Sequence, residues 1–144
     1  MKLRIFVIDD EEGIRDTLKW HLEGEGHEVV TAESPVLCEN CYALTSQSPY
    51  PCADLLFTDY QMPHMTGLEF IEKMNSLGCR MDPYDKYLMS GNIDAIDLSK
   101  VQRVGCQVLQ KPISFKQIDK IVESRIQDMS PEWELNDFCE LLRA

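Results

Sequence analysis

Short apolar runs with the character of buried β-strands alternate with segments of helical spacing along this chain. The runs cover residues 3–8, 28–32, 54–58, 85–89 and 107–110. Most are rich in Val, Ile, Leu, Phe or Tyr, as expected for strands that are buried on both faces. Strands that alternate with helices lie parallel to one another. Five repeats of this alternation therefore predict a doubly wound α/β fold around one five-stranded parallel sheet.

Apolar residues at helical spacing predict the helices that connect these strands. Helices are expected at residues 13–22, 36–44, 68–77, 94–104 and 115–127, the second of them capped by Ser34-Pro35. Ser130-Pro131 restarts a last amphipathic helix that runs to about residue 142. This extra C-terminal helix could pack back on the domain, or it could dock a partner or a second copy.

Four of the predicted strands end at polar residues, namely the pair Asp9-Asp10, Asp59, Ser90 and Lys111. The carboxyl ends of parallel strands share one edge of the sheet, and ligands bind at this edge in open α/β folds. Three carboxylates at one edge would repel one another, and a hard cation such as Mg²⁺ would relieve that repulsion. Taken alone, Asp9-Asp10 could instead supply the first-turn acid of a helix, and Ser90 could be an N-cap.

The residue types at this edge suit phosphoryl transfer. Asp59 could act as a nucleophile toward phosphorus and form an acyl phosphate. Lys111 would place a compact positive charge on the transferring oxygens, with Pro112 behind it to end the strand and aim the side chain. Ser90 offers a hydroxyl to a phosphoryl oxygen, and Gly91 leaves room for the backbone to approach. The sequence therefore predicts a cation-dependent site that handles a phosphoryl group.

The charge balance argues against one broad class of partners. The chain carries 25 acidic and 14 basic residues, a formal net charge of −11. Binding to nucleic-acid phosphates needs clustered Lys and Arg, so we expect no nucleic-acid partner. The amino terminus lacks a signal-peptide core, and no stretch approaches the ~20 apolar residues that span a bilayer. We therefore expect a cytoplasmic protein with no membrane contact.

The six cysteines leave three interpretations open. They are Cys38, Cys41, Cys52, Cys79, Cys106 and Cys139. Thiols that act as small apolar side chains are the first interpretation, because nothing in the sequence indicates secretion. Cys38, Cys41 and Cys52 could instead form a redox pair or hold a metal ion. A zinc site would need a fourth ligand, and no nearby Cys or His motif offers one.

Four segments together resemble the receiver domain of two-component response regulators. They are I-F-V-I-D-D-E-E at 5–12, L-L-F-T-D-Y-Q-M-P-H-M-T-G-L-E-F at 55–70, Y-L-M-S-G at 87–91 and V-L-Q-K-P at 108–112. Their order and intervals make the set specific. The resemblance implies a flavodoxin-like sheet with strand order 2-1-3-4-5 over residues 1–128, in a stand-alone receiver similar to chemotaxis regulators. Residues 129–144 would form a C-terminal helical extension.

The resemblance also implies a role for each residue at the predicted edge. Asp59 would be the phosphoacceptor, while Lys111, Ser90 and Gly91 would bind the phosphoryl group. Mg²⁺ or Mn²⁺ would be held by Asp9, Asp10, Asp59 and, through its main-chain carbonyl, Gln61. Asp9 would act largely through water.

A receiver of this family implies protein partners. A histidine kinase or phosphotransfer protein would donate the phosphoryl group. The receiver would catalyse only its own phosphorylation and dephosphorylation, and so would not be an enzyme acting on other substrates. The face formed by residues 94–127 would then shift between two arrangements to bind a downstream target or to form a homodimer. Val108 stands where the family often has an aromatic residue, which indicates an output route other than a rotating ring.

Three other functions are compatible with parts of the pattern. An aspartate-nucleophile phosphatase would resemble a D-x-D arrangement, but Asp59 is followed by Tyr60-Gln61 and no capping domain is evident. An interaction module could keep the fold without being phosphorylated. A redox or metal sensor could use Cys38, Cys41 and Cys52 beside the receiver function.

Overall fold

The computed structural model describes residues 2–35 and 51–129. Five strands are present in this part of the chain: β1 (Arg4–Ile8), β2 (Glu28–Ala32), β3 (Leu55–Asp59), β4 (Lys86–Ser90) and β5 (Gln107–Gln110). Four α-helices accompany them: α1 (Glu12–Gly24), α2 (Gly67–Ser76), α3 (Leu98–Val104) and α4 (Phe115–Gln127). Two short 3₁₀ helices, Pro83–Asp85 and Ile93–Ala95, flank β4.

The strands form one sheet with the order β2-β1-β3-β4-β5, and every neighbouring pair is parallel. The predicted fold class and strand order are therefore confirmed. The register sets Ile8 beside Thr58, Asp59 beside Met89 and Ser90 beside Gln110. The ends of β1, β3, β4 and β5 consequently lie along one edge.

The sheet is covered on both faces by helices that bury one stripe each. On one face α1 and α4 contribute Leu18, Leu22, Ile118 and Val122 to a cluster with β1, β3 and β4. On the other face, Phe70 and Met74 of α2 and Val101 of α3 pack with a second set of strand residues. Each strand therefore alternates its side chains between two apolar layers, as expected for a buried parallel sheet.

Two helix boundaries differ from the sequence prediction by two or more residues, and the others in the described part of the chain agree to within one residue. The helix expected at 94–104 begins only at Leu98, because the Asp97 carboxylate accepts hydrogen bonds from the backbone N–H of Ser99 (3.0 Å) and Lys100 (3.3 Å) and so caps it. The first helix extends through Gly24. Gly26, with a φ of 93°, then turns the chain toward β2.

The start of β4 was also misplaced by the sequence prediction. Asp85 belongs to the 3₁₀ helix that begins at Pro83, and the Asp82 carboxylate caps this helix by accepting from the Tyr84 N–H at 2.9 Å. The strand instead begins with Lys86, whose side chain is buried and whose ammonium donates to Asn75 Oδ1 at 2.6 Å.

Several sequence predictions lie outside the described residues. They are the helix at 36–44, the helix after Ser130-Pro131, and the positions of Cys38, Cys41 and Cys139. The division into a receiver at 1–128 and an extension at 129–144 stays a prediction. Cys52 and Cys106 are buried thiols, and Cys79 is a half-buried one. Within residues 2–35 and 51–129, every helix is too short or too polar to cross a bilayer.

Candidate functional site

The Lys111 side chain joins the ends of three strands. Its ammonium nitrogen lies 2.9 Å from Asp9 Oδ2 and 3.2 Å from Asp59 Oδ1. Asp9 follows β1, Asp59 ends β3 and Lys111 follows β5, so residues far apart in the sequence meet at the carboxyl edge of the sheet. The peptide bond between Lys111 and Pro112 is cis.

Asp9 is fully buried and is held in place from several directions. Its Oδ1 accepts a hydrogen bond from the Glu11 N–H at 2.9 Å, and its Oδ2 faces Lys111. Its backbone N–H donates to the Ala32 carbonyl at 3.1 Å, and its own carbonyl accepts from Arg15 Nη1 at 2.7 Å. These contacts hold the Asp9 carboxylate in one position at the buried base of the site.

Asp10 completes a group of three carboxylates. Oxygens of Asp9, Asp10 and Asp59 all lie within 4.8 Å of one another, with Asp10 exposed and the other two buried. Oxygen donors from carboxylates are the ligands that Mg²⁺ takes in proteins, usually one or two of them together with waters. The donor set therefore fits a hard divalent cation bound from the solvent side.

The electrostatics of the site reflect crowded carboxylates around one lysine. Burial and the negative charge of Asp9 raise the pKa of Asp59 to about 6, although the Lys111 charge works in the opposite direction. Burial alone would lower the pKa of Lys111, but hydrogen bonds and charges from Asp9 and Asp59 outweigh it and raise that pKa. Lys111 is therefore cationic at neutral pH, and Asp59 sits where an added positive charge stabilises its ionised form.

Ser90 and Gly91 lie at the end of β4 beside this group. Ser90 is buried, its Oγ accepts from the Asn92 N–H at 3.0 Å, and its carbonyl accepts from the Lys111 N–H at 2.7 Å. Gly91 is exposed, and its carbonyl accepts from Gln110 Nε2 at 2.8 Å. The Ser90 hydroxyl thus stabilises the turn between β4 and α3 and lies at the predicted carboxyl edge of the sheet.

Gln61 lies in the exposed part of the β3–α2 loop. The loop is pinned at its ends, because the Tyr60 N–H donates to the Met89 carbonyl at 2.9 Å and the Gly67 N–H donates to the Tyr60 carbonyl at 2.8 Å. His64 adopts a φ of 75° at its tip. The structure brings Asp9, Asp10, Asp59 and Lys111 together and places Ser90 on the neighbouring strand end, whereas the metal-ligand role of the Gln61 carbonyl stays a prediction.

Sequence reasoning missed two residues that support the site. Arg15, one turn into α1, holds the Asp9 carbonyl. Gly67 packs directly under the Asp59 carbonyl, where a side chain would collide with it. The sequence feature that could have identified Gly67 is its position immediately after Thr66, an N-cap residue. The Thr66 hydroxyl caps α2 by accepting a hydrogen bond from the Glu69 N–H at 3.1 Å.

An apolar cavity of about 430 Å³ opens beside Lys111. Ile14 and Leu18 of α1 line one side of it, and Pro112 and Phe115 line the other. The lysine thus separates the carboxylate group from an apolar surface between α1 and α4.

Comparison with known proteins assigns the family. The sequence model of the response regulator receiver domain matches residues 5–123, and this chain belongs to that family.

Curated relatives match over most of this chain. The transcriptional regulatory protein FixJ of Bradyrhizobium diazoefficiens is 25% identical over 131 residues, which cover 90% of this chain and 60% of FixJ. BtsR of Salmonella typhi is 25% identical over 130 residues, which cover 90% of this chain and 51% of BtsR. The chain therefore spans only about half to three-fifths of these relatives.

Solved structures show the same fold. A CheY-like receiver domain from Methylobacillus flagellatus has a TM-score of 0.70 at 18% identity, with 87% of this chain and 99% of that one covered. A receiver domain protein from Clostridium thermocellum has a TM-score of 0.68 at 25% identity, with 86% and 94% covered.

Proposed function

We propose that this chain is a phosphorylatable receiver of a two-component system, with Asp59 as the phosphoacceptor. One observation carries the proposal: a buried carboxylate at the end of β3 lies 3.2 Å from the Lys111 ammonium, with two further carboxylates within 4.8 Å. On one side of the Asp59 carboxylate, the Lys111 ammonium can neutralise negative charge. On the other side, a phosphoryl donor can approach from the solvent. That arrangement suits a nucleophile that must accept a dianionic group.

The proposed reaction is an in-line displacement at phosphorus. An oxygen of ionised Asp59 forms a bond to the phosphorus of a phosphohistidine, and the P–N bond breaks with its electron pair going to the imidazole. The Lys111 ammonium neutralises charge on the transferring oxygens. Ser90 and the backbone of Gly91 receive those oxygens at the neighbouring strand end. Hydrolysis of the acyl phosphate by water would return Asp59 to its starting state.

The acidic group fits a bound Mg²⁺ or Mn²⁺ ion. When bound, such an ion would supply positive charge that lowers the proton affinity of the three carboxylates and screens the incoming phosphoryl group. Asp10 and Asp59 would hold it directly, Asp9 would act largely through water, and the carbonyl of Gln61 would add a ligand. Burial of Asp9 beneath the other two supports this division of roles.

The partners follow from the family. Response regulators receive the phosphoryl group from a histidine kinase or a phosphotransfer protein and act on downstream targets. We propose the same for this chain, with the surface of α3, β5 and α4 as the part that responds. Val108 of β5 is half-buried against the α2–α3 side of the core, so it offers no aromatic ring to swing between positions. A shift of the β4–α3 turn through Ser90 is the proposed alternative.

The test is binding of beryllofluoride, a phosphoryl mimic, in the presence of Mg²⁺. Wild type should show saturable binding by calorimetry, and light scattering of the same sample would report whether a homodimer forms. Asp59→Asn should abolish binding. Asp54→Asn is the matched control, since Asp54 is also a buried carboxylate and lies just before the start of β3. Equal binding by wild type and Asp59→Asn would refute the assignment of Asp59.

A further inference from the structure

A second group of metal-ligating side chains lies on the helical face formed by α1 and α4. His21 Nε2 is 2.9 Å from Glu25 Oε1 and 2.8 Å from Asp119 Oδ1. The three ligand atoms lie within 4.8 Å of one another, and none belongs to the phosphoacceptor site. Two helices that are distant in sequence therefore aim one imidazole and two carboxylates at a single point.

The contacts around His21 Nε2 exceed what one hydrogen can satisfy. A ring nitrogen carries at most one N–H, yet two carboxylate oxygens lie at hydrogen-bond distance from the same atom. The single hydrogen can therefore be directed well at only one of the two oxygens. A metal ion between the three atoms would bind the nitrogen and both oxygens directly.

The ring is also held in one orientation. The imidazole of His21 stacks on the ring of Phe115, with centroids 4.0 Å apart and planes 2° from parallel. This stacking restricts rotation of the ring and so limits the directions in which Nε2 can point. Phe115 is the first residue of α4, so the same helix supplies the stacking ring and the Asp119 carboxylate.

The spacing along both helices supports a shared site. His21 and Glu25 are four residues apart around the end of α1, and Asp119 and Glu123 are four residues apart on α4. Residues at this spacing lie on the same side of a helix. The Glu123 charge acts on Glu25, so a further carboxylate faces the group from α4.

The group carries more negative charge than one histidine balances. Burial and a hydrogen bond with Asp119 raise the pKa of Glu25, whereas the hydrogen bond with Glu25 lowers the pKa of Asp119. The opposite directions of these shifts are expected for two carboxyl groups in direct contact. A divalent cation between them would offset their mutual repulsion.

We propose that His21, Glu25 and Asp119 bind a divalent transition metal of the Zn²⁺, Co²⁺ and Ni²⁺ class, with water completing the coordination. Tetrahedral Zn–N and Zn–O bonds of about 2.0–2.2 Å require His21 Nε2 to move only about half an ångström further from each carboxylate oxygen than its present 2.9 Å and 2.8 Å. The imidazole selects these ions over Mg²⁺, which prefers oxygen ligands and suits the aspartate group at the sheet edge. An ion here would link α1 to α4.

The test is a Co²⁺ titration of the full chain, followed by visible absorption, with excess Mg²⁺ present to occupy the aspartate group. Nitrogen and oxygen ligands give weak d–d bands, whereas thiolate ligands add intense near-ultraviolet bands, so cysteine binding is recognised. His21→Gln and Asp119→Asn should each weaken Co²⁺ binding by at least about tenfold. His64→Gln is the matched control, because His64 is an exposed histidine outside the group.

A second measurement needs no variant. Co²⁺ is paramagnetic, so in wild type it should broaden or shift the amide signals of residues around His21 and Asp119 before those of the sheet edge. The proposal is overturned if no saturable d–d band forms, if His21→Gln binds Co²⁺ as wild type does, or if the affected amides cluster around the cysteines or Asp59. None of these outcomes depends on whether Asp59 is phosphorylated.

Discussion

Gly67 lies against the carbonyl of Asp59 so closely that no side chain can fit between them. A Cβ at position 67 would overlap the Asp59 carbonyl oxygen and would approach Leu88 Cδ2 to 2.9 Å. The first turn of α2 therefore rests on the backbone of the proposed phosphoacceptor. The position of that backbone depends on the absence of a side chain at residue 67.

Gly67→Ala should destabilise the fold because backbone rather than a flexible side chain must move. We expect a loss of about 3 kcal/mol in the free energy of unfolding, at the upper end of overpacking effects. Urea denaturation followed by circular dichroism measures it. Gly24→Ala is the control, since a Cβ there meets nothing within 4 Å and alanine in a helix gains about 0.5–1 kcal/mol. Equal stability of the two variants would contradict the close contact.

Asp59→Asn should stabilise the protein at neutral pH when divalent cations are absent. The pKa of Asp59 is raised from 3.8 to about 6, so the folded state binds more protons than the unfolded state between these values. Wild-type stability therefore falls as pH rises through this window, by about 1–3 kcal/mol. Unfolding curves at several pH values should show the variant gaining over wild type from about pH 4 to pH 6. Asp16→Asn, an exposed change, should show no such gain.

Lys111→Ala should block phosphorylation while the fold persists. The variant removes the ammonium that faces Asp9 and Asp59, and loss of one such stabilising group slows a reaction by about 100-fold or more. The measurement is the rate of phosphorylation by acetyl phosphate with Mg²⁺, with circular dichroism to check folding. Lys120→Ala changes an exposed lysine on α4 and should leave the rate unaltered. Unfolding of Lys111→Ala would instead identify a structural lysine.

His27 should make the fold sensitive to acid. It is buried, and its Nδ1 accepts a hydrogen bond from the Leu3 N–H at 3.1 Å, which requires the neutral ring. Burial lowers the pKa of His27, so the unfolded state binds more protons and stability falls as pH drops below about 6.5.

Two variants measure this effect. His27→Ala should cost about 1–3 kcal/mol at pH 7 because the buried Leu3 N–H loses its acceptor. The unfolding free energy of His27→Ala should then lack the decrease with falling pH that the buried His27 causes in wild type. His64→Gln should keep the wild-type profile. A His27→Ala profile that follows wild type from pH 7 to about pH 5 would contradict the neutral buried ring.

The strand ends were the most predictable part of the molecule. A parallel sheet needs continuous apolar runs, and the first polar residue after each run must lie at one edge. β2 and β5 fall at the predicted residues, and the α4 prediction is correct because Ser114 and Gln117 form a capping box. The pairing of Asp9, Asp59 and Lys111 follows from the same reasoning.

Features that depend on tertiary contacts were not predictable. Lys86 can begin a buried strand because Asn75 of α2 accepts a hydrogen bond from its ammonium group. Nothing in the local sequence indicates that partner. The burial of His27 depends on its contacts with the end of α1 and the start of β1, and nothing in the local sequence indicates them. The start of α3 at Leu98 was harder to predict, because Asn92 and Asp94 are N-cap candidates of the same strength as Asp97.

The most direct measurement is the location of the phosphoryl group after incubation with acetyl phosphate and Mg²⁺. Peptide mapping by mass spectrometry should find one phosphoryl group per chain, on the peptide that contains Asp59 and not in Asp59→Asn. A folded wild-type protein that takes up no phosphoryl group, or takes it up on another residue, would contradict the proposed receiver function.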